Sequence, residues 1–456
     1  MVVLYGAVRF PQPRHKRQDL SQSPPEAATI NDPVVIPRAD HCISRALVSE
    51  NALRVLYRLK EAEYEALLVG GCVRDLLLGR EPKDFDVVTN ATPEEIRKLF
   101  SNARLIGRRF RLAHVRFGRE IVEVATFRAA PAPDSSDPEN HNIFGTQAEA
   151  AARPDFTVNA LYYNLRDFSV VDYVGGMDDL KAGVLRMIGD PAERYREDPV
   201  RMLRAIRFAA KLGFTIEPAT AEPIGALGAT LTQVPPARMF EEVLKLFHGG
   251  YALPTYELLR RYGVFRYLFP LTERSLEQEQ NNFPLMLVPQ ALGNTDARVA
   301  EDKPVTPAFL FAALLWEPVR QEAAARTARG ARSYEALEGA ADHVLREQLR
   351  SVMIPKRFSA PMREIWTMQS RFERRAGNHP FRLLEHKRFR AAYDFLVLRA
   401  QTGEADPALA EWWTRFQEAN DAERRELTAA APSSPKSRRR RRRRRGGARS
   451  DAPPVP

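Results

Sequence analysis

Apolar residues recur at helical spacing between Ile43 and Leu59, where Leu53, Leu56 and Leu59 follow Ser49; the pattern predicts an amphipathic helix capped by that serine. "EALLVGG" is a short apolar run stopped by two glycines, the pattern of a buried strand. "VRDLLLG" predicts a short helix ended by Gly79, and "KDFDVVT" a second strand. "TPEEIRKLF" then predicts a helix with Thr92 as N-cap and Pro93 in its first position. "AHVRFG", "REIVEVATFR" and "FTVNALYYN" are further β-rich segments, and "FSVVDYVGG" supplies a hairpin arm. From Pro199 to about Asn420 the spacing is helical almost throughout, with looser connections expected at "SLEQEQNNFPLMLVPQ" and "ARTARGARSYEAL". Residues 1–40 are proline-rich and polar without a sustained period, and residues 421–456 are low in complexity; both are expected to be disordered. No internal repeat is present.

Composition narrows the class. The chain of 456 residues is 44% hydrophobic and 28% charged, which suits a globular protein of several domains. No apolar run approaches the length of a membrane span. The first residues carry no basic region ahead of their short apolar stretch, so no signal peptide is expected. Two cysteines, Cys42 and Cys72, exclude a disulfide framework, and eight scattered histidines make a structural zinc site a poor expectation. A reducing cytoplasm is the expected compartment. The net charge of +11 is unevenly placed: from Pro432 onward ten basic residues face one acid, Asp451, which leaves 59 basic and 57 acidic residues elsewhere. The basicity belongs to the tail.

Candidate chemistry begins at Asp84 and Asp86. On a strand they would share one face about 6.6 Å apart, with Phe85 buried in the opposite layer. Two carboxylates so placed repel unless a cation lies between them, and Mg2+ takes one or two carboxylates together with substrate phosphates. Alone, the D-x-D pattern more often marks solvated acids near a strand end. Ahead of it, Gly70 and Gly71 lack a β-carbon, so a phosphate can approach their N–H groups, with Arg74 one turn further on. Glu123, flanked by Val122 and Val124, is either a third acid for the same site or an ordinary solvent-facing residue. In "REDPVRMLRAIRFAAKLGF", Arg201, Arg204, Arg207 and Lys211 form one basic stripe opposite Met202, Ile206, Ala209 and Ala210. That stripe is either a solvated face or a set of guanidiniums for a triphosphate. Asp198 caps the helix, reads a base edge together with Arg201, or does both.

These stretches, with "DYVGGMDDLKAGVLRMIGD", occur in the order seen in the class II nucleotidyltransferases, the family of CCA-adding tRNA nucleotidyltransferases and bacterial poly(A) polymerases, which the chain resembles over residues 35 to 415. "LIGRRFRLAHVRFG", "PPARMFEEVLKLF", "TPAFLFAALLW", "IPKRFS" and "LLEHKRFRAAYDFLVLRA" resemble the poly(A) polymerase branch. The resemblance implies an α+β fold: a polymerase-β-like nucleotidyltransferase head with a mixed sheet (41–193), a helical neck for base recognition (194–275) and a helical body for RNA binding (276–420). It implies catalysis at Asp84, Asp86 and Glu123, with two Mg2+ ions at Asp84 and Asp86 and Mn2+ as an alternative. It implies ATP binding at Gly70, Gly71, Arg74, Asp155, Asn159, Asp198, Arg201, Arg204 and Arg207, with Glu197 in support. The R-R-D-F-T-x-N motif of the family is here Arg153-Pro154-Asp155, and proline offers neither a charge nor an N–H. RNA contacts are expected at Arg108, Arg109 and Arg111, the first two also being candidates to replace the missing arginine. Further RNA contacts are expected at Arg438, Arg439, Arg440, Arg441, Arg442, Arg443, Arg444 and Arg445.

The implied activity is template-independent addition of AMP from ATP to RNA 3′ ends, promoting RNA turnover. The alternatives are CCA addition to tRNA and a non-catalytic RNA-binding protein on a transferase scaffold. The implied partners are RNA 3′ ends, ATP, RNA chaperones and the RNA-decay machinery, and a monomer is expected.

Overall fold

A mixed sheet of eight strands carries the first half of the chain. In chain order they are β1 (Val34–Ile36), β2 (Ala66–Val69), β3 (Asp86–Thr89), β4 (Ala103–Ile106), β5 (Leu112–Phe117), β6 (Glu120–Thr126), β7 (Leu161–Asn164) and β8 (Val170–Asp172). They lie side by side as β1-β8-β7-β2-β3-β6-β5-β4, and all neighbours are antiparallel except β3 and β6. The computed structural model describes residues 32–107, 111–129, 144–277 and 286–431. Arg108, Arg109, Arg438–Arg445 and residues 1–31 lie outside the described residues.

Strand alternation sorts the sheet into two faces. Leu68, Val87, Ala113, Val115, Val122, Val124, Tyr163 and Val170 enter the main core. The helix α1 (Glu50–Glu61) packs there through Val55, Leu56 and Leu59, and Ser49 Oγ caps it by accepting the Ala52 N–H at 3.1 Å. The short helix α2 (Gly71–Leu77) follows β2. The helix α3 (Pro93–Leu99) begins in a reciprocal cap between Thr92 and Glu95. On the other face Leu67, Val88, Tyr162 and Val171 meet Phe127 and Ala151, the latter on helix α4 (Gln147–Ala151). Asp86 and Glu123 belong to this second face, on the row of residues level with Val69.

Helix α5 (Gly176–Ala182) and helix α6 (Pro191–Glu197) lead to the arginine helix α7 (Val200–Leu212), which ends at Gly213 in a left-handed conformation. A parallel pair, β9 (Val184–Leu185) with β10 (Thr215–Ile216), ties the residues beyond α7 back to those before α6, across the sequence boundary at 193. Helix α8 (Pro218–Leu227), helix α9 (Pro236–Phe247) and further helices from Ala252 to Ala430 complete the chain. The main core runs on through these helices, and a second cluster of Phe372, Phe389, Trp413 and Phe416 lies towards the end. Among the described residues no helix is long and apolar enough to cross a membrane, and Cys42 and Cys72 are both free.

Several expectations are corrected. Val34–Ile36, placed in the disordered 1–40 segment, is an edge strand paired with β8. Its three residues are too few to show a period. Thr157–Asn159 is a 3-10 turn and not strand. The looser connection at "ARTARGARSYEAL" is two helices, Trp316–Ala328 and Ser333–Gln348, separated by a short turn at Gly330. Asp421–Ala430, placed in the disordered tail, is a helix begun by Asn420 and Glu423, which cap each other.

Candidate active site

The strand register decides which acids meet. Asp86 on β3 is level with Glu123 on β6, and Glu123 is level with His114 on β5. The three side chains form one row on the open face, and His114 Nε2 lies 3.2 Å from Glu123 Oε1. Asp84 stands outside the strand, exposed in a bend at Lys83 and Asp84, because β3 begins only at Asp86. The expectation that both aspartates share a strand face is therefore corrected: only Asp86 is on the strand. Phe85 is buried in the main core, as expected, and anchors the strand entrance from the opposite side.

Burial raises the Asp86 carboxyl first, and the charges of Glu123 and then Asp84 push it further, up to about 6. A carboxylate crowded by two others in this way is relieved by a divalent cation, so the residues fit Mg2+. Among the described residues no three His, Cys, Asp or Glu side chains form a ready-made metal cage. An open set suits Mg2+, which completes its shell with water and substrate phosphate.

Beside the acids lies a cleft of about 510 Å³ lined by Gly71, Arg74, Asp86, Arg153, Pro154, Asp155, Asn159, Asp198, Arg201, Arg204 and Phe208. Most of the residues expected to bind the nucleotide are thus brought together. Gly70 sits at φ +79°, a conformation that favours glycine, and its N–H donates to the Leu161 carbonyl at 3.2 Å. That N–H is committed to the backbone and is not available to a phosphate, whereas Gly71 lines the cleft.

Asp155 organises the cleft's other wall. Its Oδ1 accepts from the Phe156 N–H at 3.1 Å and Asn159 Nδ2 at 3.2 Å, and its Oδ2 accepts from Arg204 Nε at 2.5 Å. Asn159 Oδ1 in turn accepts from Arg74 Nη1 at 2.5 Å, while Arg74 Nε and Nη2 donate to Asp75 at 2.8 and 2.7 Å. Arg74 is almost wholly buried, so it lines the cleft as a fixed charge. Gly176, at the start of α5, lets the helix touch the turn that carries Asn159: a β-carbon there would stand 2.3 Å from the Thr157 carbonyl oxygen.

Asp198 and Arg201 are each held from behind. Arg238 Nη2 on α9 donates to Asp198 Oδ2 at 2.7 Å, and Asp198 Oδ1 accepts the Val200 N–H at 3.2 Å, so the residue also caps α7. Arg201 Nη1 donates to Glu197 Oε2 at 2.5 Å and to the Arg194 carbonyl at 2.8 Å. At the departure from the family motif, Arg194 Nη2 donates to the carbonyls of Arg153 and Pro154, at 3.0 Å each. Arg207 lies outside the cleft lining, and Lys211 Nζ is 3.8 Å from Asp75. Arg111 is a surface residue paired with Glu94 at 2.8 Å.

Five residues of the site were not singled out in the sequence: Asp75, His114, Arg194, Phe208 and Arg238. Strand alternation around Ala113 and Val115 would have put His114 on the open face. Its meeting with Glu123 needed the register. Arg238 is 40 residues from Asp198 and carries no sequence signal of the contact.

The family described as "Poly A polymerase head domain" matches residues 66–186. "Probable RNA and SrmB- binding site of polymerase A" matches residues 213–276, and "Polymerase A arginine-rich C-terminus" residues 329–446. The chain is 53% identical over 397 residues to Poly(A) polymerase I of Escherichia coli O6:H1, covering 84% of this chain and 85% of the relative. It is 45% identical over 413 residues to Poly(A) polymerase I of Haemophilus influenzae, covering 87% of this chain and 90% of the relative. Its fold is similar to that of the Bacillus stearothermophilus CCA-adding enzyme in complex with CTP, with a TM-score of 0.56 at 24% identity, covering 85% of this chain and 89% of that one. With these matches across the head, the segment after it and the C-terminal helices, the chain belongs to the bacterial poly(A) polymerase I family of nucleotidyltransferases.

Proposed function

We propose that the chain adds AMP from ATP to RNA 3′ ends without a template, releasing pyrophosphate, and so marks RNA for turnover in the cytoplasm. The observation that carries this reading is the level pairing of Asp86 with Glu123 beside an arginine-lined cleft. Held at Asp84 and Asp86, Mg2+ or Mn2+ ions would supply Lewis acidity at the attacking 3′-hydroxyl and neutralise the β- and γ-phosphates. Arg153 and Arg204, with the fixed charge of Arg74, provide the cationic wall for the triphosphate. His114 orients Glu123, and the buried Phe85 fixes the strand that carries Asp86.

Selection of adenine falls to Asp198 and Arg201, an acceptor and a donor for the base edge. Neither swings freely, since Arg238 holds one and Glu197 the other. Arg238→Ala is therefore expected to lower the preference for ATP over CTP by about tenfold, while primer affinity stays as it was. Separate ATP and CTP kinetics on one RNA primer check this.

The arginines from Arg438 to Arg445 supply sequence-independent RNA affinity by counterion release. Deleting them is expected to flatten the slope of log affinity against log salt by about 0.7 for each phosphate they neutralise on single-stranded RNA. A salt titration of oligo(A) binding reads the change, and an unchanged slope would rule the tail out as an RNA-binding element.

The reading as a whole is tested by offering ATP or CTP separately, with an oligo(A) primer or with tRNA lacking its CCA end. Extension with ATP on oligo(A) is expected. Rapid CTP use on the tRNA would favour CCA addition, and no incorporation of either would favour a non-catalytic RNA-binding protein.

A further inference from the structure

Three guanidiniums, two from the cleft wall and one from behind it, converge on one aromatic ring. Phe208 lines the cleft with 9% of its surface exposed. The guanidinium carbons of Arg74, Arg204 and Arg207 lie 5.4, 5.3 and 4.6 Å from its ring centre. Three like charges within such reach of one another repel, and the arrangement needs something to hold it. Arg74 has Asp75, and Arg204 has Asp155. Among the described residues Arg207 has no carboxylate within ion-pair distance, and its guanidinium lies over the Phe208 ring. Burial, and behind it the charges of Arg204 and Arg74, pull the Arg207 pKa down against Glu242 and Asp155, which raise it.

We propose that Phe208 is a positioning residue whose ring holds Arg74 and Arg204 in the cationic wall for the nucleotide triphosphate, with Arg207 adding its charge from behind the lining. The negative face of a benzene ring attracts a guanidinium within about 6 Å of its centre, and more strongly where water is excluded. Phe208 itself packs in a T-shaped contact with Phe156, with ring centres 5.8 Å apart, and Phe156 directly follows the Asp155 that holds Arg204. One ring thereby couples α7, the Asp155 loop and α2. The ring carries no charge of its own, so it keeps the arginines close without neutralising them, as another carboxylate in the cleft would do.

The inference rests on the reading of this cleft as an ATP site. Its test replaces Phe208 in the full chain with phenylalanines bearing one, three and five ring fluorines, which drain the ring face of negative charge while nearly preserving its shape. ATP affinity is measured at equilibrium in Mg2+ without RNA, so the readout is independent of turnover, and thermal unfolding monitors packing. The Kd is expected to rise stepwise with fluorine number, by about tenfold from the parent to the pentafluoro form, while the unfolding midpoint barely moves. Phe208→Tyr should bind ATP as the parent does, and Phe208→Leu should bind it at least about tenfold more weakly. A flat Kd series in a chain that binds ATP would overturn this inference alone. A parent chain that does not bind ATP would overturn both it and the reading of the cleft.

Discussion

Asp86→Asn is expected to cut primer extension by at least about 10³-fold while making the protein harder to unfold. The loss follows from removing the one carboxylate that is on the strand, level with Glu123 and open to the cleft. The gain follows from the same crowding. An acid whose pKa is raised on folding costs stability wherever it is ionised. For Asp86 that cost is absent below its ordinary value of 3.8 and complete above about 6. At neutral pH in a chelator the asparagine variant should therefore be more stable than the parent by on the order of 1–3 kcal/mol, and the difference should vanish in acid. Primer extension and chemical denaturation, run on the same preparations, read the two halves. A variant that loses activity and stability together would mean that Asp86 is structural.

Asp155→Ala is expected to do the opposite and weaken both. Three donors lose their acceptor: the Phe156 N–H, Asn159 Nδ2 and Arg204 Nε. Asp155 is buried, whereas about a third of the Arg204 side chain is exposed, so water softens the cost. Destabilisation of about 2–4 kcal/mol is expected. The damage spreads to the cleft, because Asn159 is the link through which Asp155 orders Arg74. ATP affinity should fall on the order of 10²-fold. Asp155→Asn, which keeps an acceptor for the Phe156 N–H, should lose less of both. Calorimetric ATP binding and thermal unfolding measure the effects, and an unchanged ATP affinity in the alanine variant would remove Asp155 from the nucleotide wall.

Local features were legible in the sequence where one residue and its near neighbours settle them. The caps at Ser49 and Thr92, the burial of Phe85, the open-face position of Glu123 and the left-handed stop at Gly79 all depend on a few adjacent residues. What stayed hidden depends on pairing between distant segments. The strand face of Asp84 was lost because the chain bends at Lys83 and Asp84 before it enters the sheet. The commitment of the Gly70 N–H to Leu161 arises from the neighbouring strand, 91 residues on. The support of Asp198 by Arg238 comes from a different helix altogether. The edge strand at Val34–Ile36 is defined only by its pairing with β8. The helix at Asp421–Ala430 is a different case: its reciprocal cap at Asn420 and Glu423 was readable, and the arginine-rich composition just beyond it masked the signal.

The central claim is untemplated, adenine-selective extension of RNA. Its most direct test gives the purified chain an unstructured RNA primer, Mg2+ and all four nucleoside triphosphates at equal concentration, and sequences the added 3′ ends. The account predicts runs of A far longer than three residues with few other bases. Extensions that stop after C, C and A, or that mix the four bases, would contradict it.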